Sequence, residues 1–389
     1  MSHHEDLQRA IDAMAPDLWA VSSFIHANPE LGHHEVKAQA RLVEELRGRG
    51  FTVEEGIGGF PTSFRATYAA GSGPVVAFVA EYDALPQMGH GCGHNLICSA
   101  ALGAAIALKQ AVERQKLGGT VMVVGTPGEE VPPPVKGLMV ERGVFDGVDV
   151  AMIAHGRDRT CAGGPLLAVD AFDFEFRGKA AHASASPEEG VSALDAAILT
   201  IHALELLREH VRSDVRIHGT ITDGGQAPNV VPDRAAMRYY VRALDRPYLE
   251  SVSSRVEACA RAGAHATGTA VTITPLGKWE PRRNVDVLNR RLLQHAAVAG
   301  AQRIGEHPPS LGSADFGNLS QHLPAATLYV ELVPEGVALH TPEVVAAAAG
   351  EPGRRALLIG AKTLAATAYD LLMDPGFMAE VKEQFTALS

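Results

Sequence analysis

The apolar positions of the chain fall into two alternating patterns. Strand-like apolar runs recur at 64–68, 75–80, 121–124 and 148–154, the signature of strands buried on both faces. Between and before them lie stretches rich in Ala, Leu, Glu, Lys and Arg. The first fifty residues read as helical, and the composition predicts a helix over 34–49 with Gly50 as its C′ stop. Further helices are predicted over 96–115 and 135–142. Strands covered on both faces and alternating with helices predict an α/β fold, a mostly parallel sheet flanked by helices. In such a sheet ligands sit beyond the carboxyl ends of the strands.

The pattern changes near Leu166. Residues 170–177 alternate, as a half-buried strand does, and a helix is predicted over 191–209. Strands at 215–222 and 235–243, a helix at 248–264 and a strand at 270–275 follow. This β-α-β-β-α-β order predicts a ferredoxin-like α+β unit inserted into the first fold. The expected organisation is a catalytic domain over 1–165 and 277–389, interrupted by an α+β lid and dimerisation unit over 166–276. There is no short internal repeat, and Pro132-Pro133-Pro134 reads as a local loop feature.

Composition narrows the function classes. The chain has 389 residues, which favours two domains, with 46% hydrophobic and 20% charged residues. A formal net charge of −11 argues against nucleic-acid and anionic-membrane partners. Four cysteines, Cys92, Cys98, Cys161 and Cys259, are too few for a disulfide framework. With the polar, acidic start Met-Ser-His-His-Glu-Asp and no apolar run of about 18 residues, a cytoplasmic protein is expected.

The candidate chemistry lies after the predicted strands. Gly91-Cys92-Gly93-His94-Asn95 offers a thiolate and an imidazole on one turn, and the two glycines allow close backbone approach there. Taken alone, Cys92 reads as a buried small hydrophobe, and Asn95 reads as the N-cap of the next helix. Glu129-Glu130 follows one apolar strand and His155 ends another; His340 lies near the C-terminus. Adjacent glutamates point apart, so one can bind a metal while the other faces a water as general base. Cys92, His94, Glu130, His155 and His340 are too many ligands for one tetrahedral zinc but suit a pair of ions about 3.5–4 Å apart. His26, His33 and His34 read as structural, and His90 as a neighbour that supports the motif without ligating. Arg238 and Arg242, alternating with Tyr240, read as a solvated strand face.

Six ordered motifs then carry a resemblance. They are Ala-Glu-Tyr-Asp-Ala-Leu-Pro from Ala80, Gly-His-Gly-Cys-Gly-His-Asn-Leu from Gly89, Gly-Thr-Pro-Gly-Glu-Glu from Gly125, Gly-Lys-Ala-Ala-His-Ala-Ser from Gly178, Gly-Gly-Gln-Ala-Pro-Asn-Val-Val-Pro from Gly224 and Gly-Ser-Ala-Asp-Phe-Gly-Asn from Gly312. Together they resemble the co-catalytic metallopeptidases of the aminoacylase/carboxypeptidase type. The similar branch is the amidohydrolase one, with β-alanyl-lysine-type dipeptidases, aminobenzoyl-glutamate hydrolase and auxin-conjugate hydrolases. The resemblance covers nearly the whole chain. It implies two divalent ions, zinc or manganese with cobalt also suitable, on Cys92, His94, Glu130, His155 and His340. It implies Glu129 as general base, Asp83 as the acid that orients a ligand imidazole, His182 as the group that stabilises the oxyanion, often in the other subunit, and Asn229 as a substrate-binding residue. A homodimer through the inserted unit is implied as well. Many relatives have a His ligand where this chain has Glu81, and a Gly-rich stretch where it has Pro132-Pro133-Pro134.

The expected activity is therefore metal-dependent hydrolysis of the amide bond of a dipeptide, an N-acyl amino acid or an aminobenzoyl-glutamate-like conjugate. Two rivals remain at this level: Cys92 as a nucleophile with a nearby His as base, and a non-catalytic binder of amino-acid conjugates.

Overall fold

The computed structural model describes residues 3–308 and 312–388. Their strands are β1 (Thr52–Glu55), β2 (Phe64–Ala69), β3 (Val75–Ala80), β4 (Thr120–Gly125), β5 (Val150–Arg157), β6 (Cys161–Ala162), β7 (Ala168–Arg177), β8 (Arg216–Asp223), β9 (Arg234–Ala243), β10 (Ala270–Trp279) and β11 (Ala325–Glu331). The chain divides into two units. The first comprises Met1–Gly164, Arg282–Ser310 and Asn318–Ser389, the second Pro165–Pro281 with Leu311–Gly317.

The first unit holds a sheet in the order β1-β2-β4-β3-β5-β11-β6. Its centre is parallel: β3 pairs with β4 and β5, and β11 with β5. The antiparallel pairs lie at the edges, β1 with β2, β2 with β4 and β6 with β11. Val76, Ala77, Phe78, Val79 and Ala80 of β3 are all fully buried, which is why that strand is apolar without alternation. Each such Val or Phe contributes roughly 1.5–3 kcal/mol of burial. Helix His94–Gln115 packs against β3, β5, helix His3–Ala27 and helix Glu351–Met373. Helices His94–Gln115 and Glu351–Met373 are long and apolar enough to cross a membrane by composition, but most of the apolar window of each is buried inside this unit.

The predicted 34–49 helix is observed as Val36–Gly48, and Gly50 takes the left-handed conformation, φ 80°, that stops it. Asn95 does not cap the helix after the Cys-Gly-His turn. Gly93, at φ 78°, is the N-cap, and the Asn95 amide donates instead to Ser22 Oγ at 2.9 Å and to the Ala348 carbonyl at 3.3 Å. A left-handed glycine turns the chain within one residue, so no Asx cap forms.

The second unit is a four-stranded antiparallel sheet, β10-β7-β9-β8, with helices Ala193–Leu207 and Arg246–Thr267 packed on it. This is the ferredoxin-like arrangement, with its own core of Phe174, Phe176, Ala196, Leu204, Met237 and Val256 among others. Ser192 caps the first helix by accepting the Asp195 N–H at 3.1 Å. The strand expected over 270–275 continues through an irregularity between Pro275 and Gly277 to Trp279, which carries the second unit to Pro281 rather than 276. Arg238 forms a bidentate pair with Asp173 at 2.7 and 2.8 Å, while Arg242 donates to Ser313 Oγ and His218 Nε2. Arg242 is part-buried, not a solvated face residue, because Ser313 of the Leu311–Gly317 segment lies on it.

Candidate metal centre

The carboxyl ends of β3, β4 and β5 place the donors in the first unit. β3 runs into Glu81 and Asp83; β4 is followed by the turn with Glu129 and Glu130; His155 lies inside β5, which extends two residues past it. Cys92 and His94 flank Gly93 at the start of helix His94–Gln115. The Gly91 carbonyl accepts the His340 N–H at 2.9 Å, which brings the C-terminal histidine to the same turn, in the left-handed conformation at φ 63°. A Cβ on Gly91 would lie 2.6 Å from Met88 Sδ, so a side chain there would have to displace the Met88 side chain.

The five expected ligands converge. Cys92, His94 and His155 present donor atoms that all lie within 4.8 Å of one another, and so do Cys92, Glu130 and His340. The Cys92 thiol, 3.3 Å from His155 Nε2, belongs to both groups. Glu129 joins His94 and Glu130 in a third group of the same compactness.

The imidazoles are oriented from behind. His94 Nδ1–H donates to Asp83 Oδ1 at 2.9 Å, and His155 Nδ1–H to the Gly156 carbonyl at 2.7 Å. Each ring thus turns Nε2 towards the centre, the carboxylate- or carbonyl-backed geometry of metal-binding histidine. His340 Nε2 lies 3.2 Å from Glu130 Oε1. Asp83 Oδ2 accepts the Glu130 N–H at 3.0 Å, so one buried carboxylate supports a histidine and a glutamate of the centre together.

His94 Nε2 and Glu130 Oε1 are buried and face only other donors of the cluster, His94 beside the Cys92 thiol and Glu130 beside His340, and neither makes a hydrogen bond of good geometry; such a convergence of buried donor atoms suits a cation. Burial pushes the Cys92 thiol well up and the His155 imidazole down to about 4. Burial also opposes ionisation of Asp83, but the charge and hydrogen bond of His94 outweigh it and hold that carboxyl below its ordinary value. A divalent cation inverts the logic at the thiol, since a coordinating sulfur is deprotonated. The donor set of sulfur, imidazole and carboxylate fits such ions.

A further buried pair was not legible in the sequence. Lys136 Nζ lies 2.8 Å from Glu81 Oε1, while Glu81 Oε2 lies 3.7 Å from His94 Nε2. His90 Nε2 bonds to the Ile25 carbonyl at 3.1 Å, which ties its loop to helix His3–Ala27, and His26 Nε2 bonds to the Val345 carbonyl at 3.1 Å, which ties that helix to helix Pro342–Ala348.

The second unit brings two other expected residues together. His182 and Asn229 are both exposed, and their segments pair: the Ala183 N–H donates to the Asn229 carbonyl at 3.0 Å. His182 Nδ1 accepts the N–H groups of Ser184 and Ala185, each at 3.3 Å, which places the proton of the neutral ring on Nε2.

Comparison with known proteins shows the family. The Xaa-Arg dipeptidase of Mus musculus is 35% identical over 396 residues, which cover 96% of this chain and 90% of that protein. The chain belongs to the M20 peptidase family. Residues 169–267, within the second unit, match the model of the M20 peptidase dimerisation domain. A p-aminobenzoyl-glutamate hydrolase chain of Escherichia coli (strain K12) is 30% identical over 96% of this M20 chain and 93% of its own. A Bacillus subtilis structure described as a dinuclear metal-binding peptidase of the M20 family shares the fold, with TM-score 0.69 and 22% identity over 93% of this chain and 99% of that one. As an M20 member the protein is a hydrolase of amide bonds.

Proposed function

We propose that this M20 peptidase hydrolyses the amide bond of a dipeptide, an N-acyl amino acid or an aminobenzoyl-glutamate-like conjugate, with two divalent ions on Cys92, His94, Glu130, His155 and His340. The observation that carries the reading is the pair of three-donor groups sharing Cys92, with Glu129 beside them. Ions held there supply Lewis-acid polarisation of a carbonyl and acidify a water. Sulfur and imidazole favour zinc; the carboxylates also suit manganese or cobalt.

The protein residues divide the remaining work. Glu129 takes the proton of the attacking water and returns it to the leaving amine. His182, with its Nε2 proton outward, donates to the developing oxyanion. Asn229, on the paired segment, takes the substrate carboxylate. The protein acts as a homodimer through the domain matched at 169–267, with His182 serving the site of the other subunit. All four cysteines are free, which suits a reducing, cytoplasmic setting.

A cysteine nucleophile is the second reading, favoured by the 3.3 Å approach of Cys92 to His155. Burial counts against it: the thiol is held protonated, and a histidine titrating near 4 is a poor base for it. One experiment separates the two. Metal per chain is measured, and a panel of dipeptides and N-acyl amino acids is assayed before and after chelation. About two ions per chain, with activity lost on chelation and restored by zinc, manganese or cobalt, is the expected result. Activity that survives chelation and is lost to a thiol reagent would transfer the reaction to Cys92.

A further inference from the structure

Glu35 belongs to none of the motifs that mark the centre, yet it is fully buried at the residue preceding helix Val36–Gly48. A buried carboxylate is costly unless it is well bonded. Capping does not explain it, because the Glu35 side chain makes no cap bond to that helix. Its partners lie elsewhere in the first unit: Oε1 accepts the Gly128 N–H at 2.7 Å, and Oε2 accepts the Thr62 hydroxyl at 2.8 Å.

Gly128 immediately precedes Glu129. On the other side of Glu129, the Glu130 N–H is held by Asp83 at 3.0 Å. The backbone N–H groups flanking the proposed base are thus both fixed by buried carboxylates drawn from distant parts of the chain. The packing around the first anchor is close. A Cβ on Gly128, which sits at φ 65°, would lie 2.7 Å from the His33 ring, and a Cβ on Gly32 would lie 2.5 Å from Val131 Cγ2. The 32–35 segment is therefore seated directly on the 128–131 loop. Burial raises the Glu35 carboxyl above its ordinary value, against the hydrogen bond from Thr62; in either protonation state a carboxyl oxygen can accept from Gly128.

We propose that Glu35 is a positioning residue for amide hydrolysis, anchoring the loop that aims the Glu129 carboxylate. The inference rests on the reading of Glu129 as general base. Asp83 has a comparable bond but also backs His94, so its loss disturbs the metal centre. Glu35 has no bond to any of the proposed ligands, so its removal isolates the aim of the base. Partners that orient metal ligands from behind are commonly worth 10–100-fold, and a misplacement of about 1 Å in reacting geometry can cost about 100-fold; the loop behind Glu129 is placed on the same scale.

The test uses the full-length, metal-loaded enzyme with Glu35→Met, which keeps volume without an acceptor, Glu35→Asp, which withdraws the acceptor by one methylene, and Glu35→Gln. Glu35→Met should lower kcat about 10–100-fold, with KM and metal per chain unchanged. Glu35→Gln should recover most of kcat, since its amide oxygen still accepts from Gly128 while its NH2 donates to Thr62. Hydrogen exchange of the Gly128 amide, independent of turnover, should accelerate in Glu35→Met and not in Glu35→Gln. If Glu35→Met fails to fold, Glu35→Asp carries the same expectations. Unchanged kcat, a loss that tracks metal, an equal loss in Glu35→Gln, or unchanged exchange at Gly128 would each overturn the anchor. Full turnover by Glu129→Gln would instead overturn the underlying assignment of the base.

Discussion

The Lys136 ammonium lies 2.8 Å from the Glu81 carboxylate, with the two side chains only 0% and 4% exposed. Burying both charges is costly, and the pair is tolerable only while it is intact. Lys136→Met leaves the Glu81 charge unpaired, 3.7 Å from His94. It should destabilise the protein by about 3–5 kcal/mol. Adding Glu81→Gln to Lys136→Met should return much of that loss. Urea unfolding of the single and double variants measures it; additive losses would mean that the two charges are not coupled.

Cys92 belongs to two of the three-donor groups, one with His155 and one with His340, whereas His155 and His340 each belong to one. Cys92→Ala should therefore reduce metal per chain from about two to one or less, while His340→Ala should spare the ion nearer His155. Elemental analysis after dialysis gives the answer. Retention of two ions by Cys92→Ala would exclude a shared sulfur.

The two adjacent glutamates have separable roles. Glu129→Gln should cut kcat by about 10²–10⁴-fold with metal content retained. Glu130→Gln removes a donor and should lower metal content as well. Steady-state assays paired with metal analysis distinguish them, and loss of metal from Glu129→Gln would mean that the assignments are reversed.

His182 lies in the second unit, in the domain matched by the dimerisation model. His182→Ala should lower kcat by about 10²–10³-fold without affecting thermal unfolding. Mixing inactive His182→Ala and Glu129→Ala subunits should restore part of the activity if the histidine serves the neighbouring subunit. No recovery after verified subunit exchange would confine it to its own chain.

Away from the centre, Asp370 receives His4 and His295, each at 2.7 Å, together with Arg291, and so ties helix His3–Ala27 to helices Asp286–Val298 and Glu351–Met373. Burial alone would raise the Asp370 carboxyl, but these three donors outweigh it and hold it well below its ordinary value. A carboxylate depressed in the folded state stabilises above its unfolded pKa, and that contribution is lost as pH falls through the folded value. Asp370→Asn should therefore be less stable than wild type at pH 7, with the gap narrowing from about pH 5 downward. Denaturant midpoints across that range test the sign; a gap constant down to strong acid would reject it.

Much of the centre was legible before any fold was known, because chemistry-bearing residues stood where apolar strands end. Glu129 and Glu130 after β4 and His155 in β5 needed only the rule that ligands gather at carboxyl ends of parallel strands. Cys92 and His94 needed their flanking glycines. Lys136 and Glu35 were not legible, since a single charged residue reads as solvated surface unless its burial is known. Asn95 misled because its residue type favours capping, whereas Gly93 had already turned the chain.

Local pattern left β1, β6 and β11 unread but determined four of the seven strands of the first sheet, its main early helices, the ferredoxin-like order of the second unit and the residue types available for metal and proton transfer. Each of these is set by neighbours within a few positions, through pleat, helical period and turn geometry. Tertiary structure alone decided that one sulfur lies in two donor groups, that Lys136 neutralises Glu81, and that Glu35 and Asp83 hold the loop on either side of Glu129. Those relationships join residues far apart in the chain, and they exist only where packing excludes water and leaves each buried polar atom to find its partner in the fold.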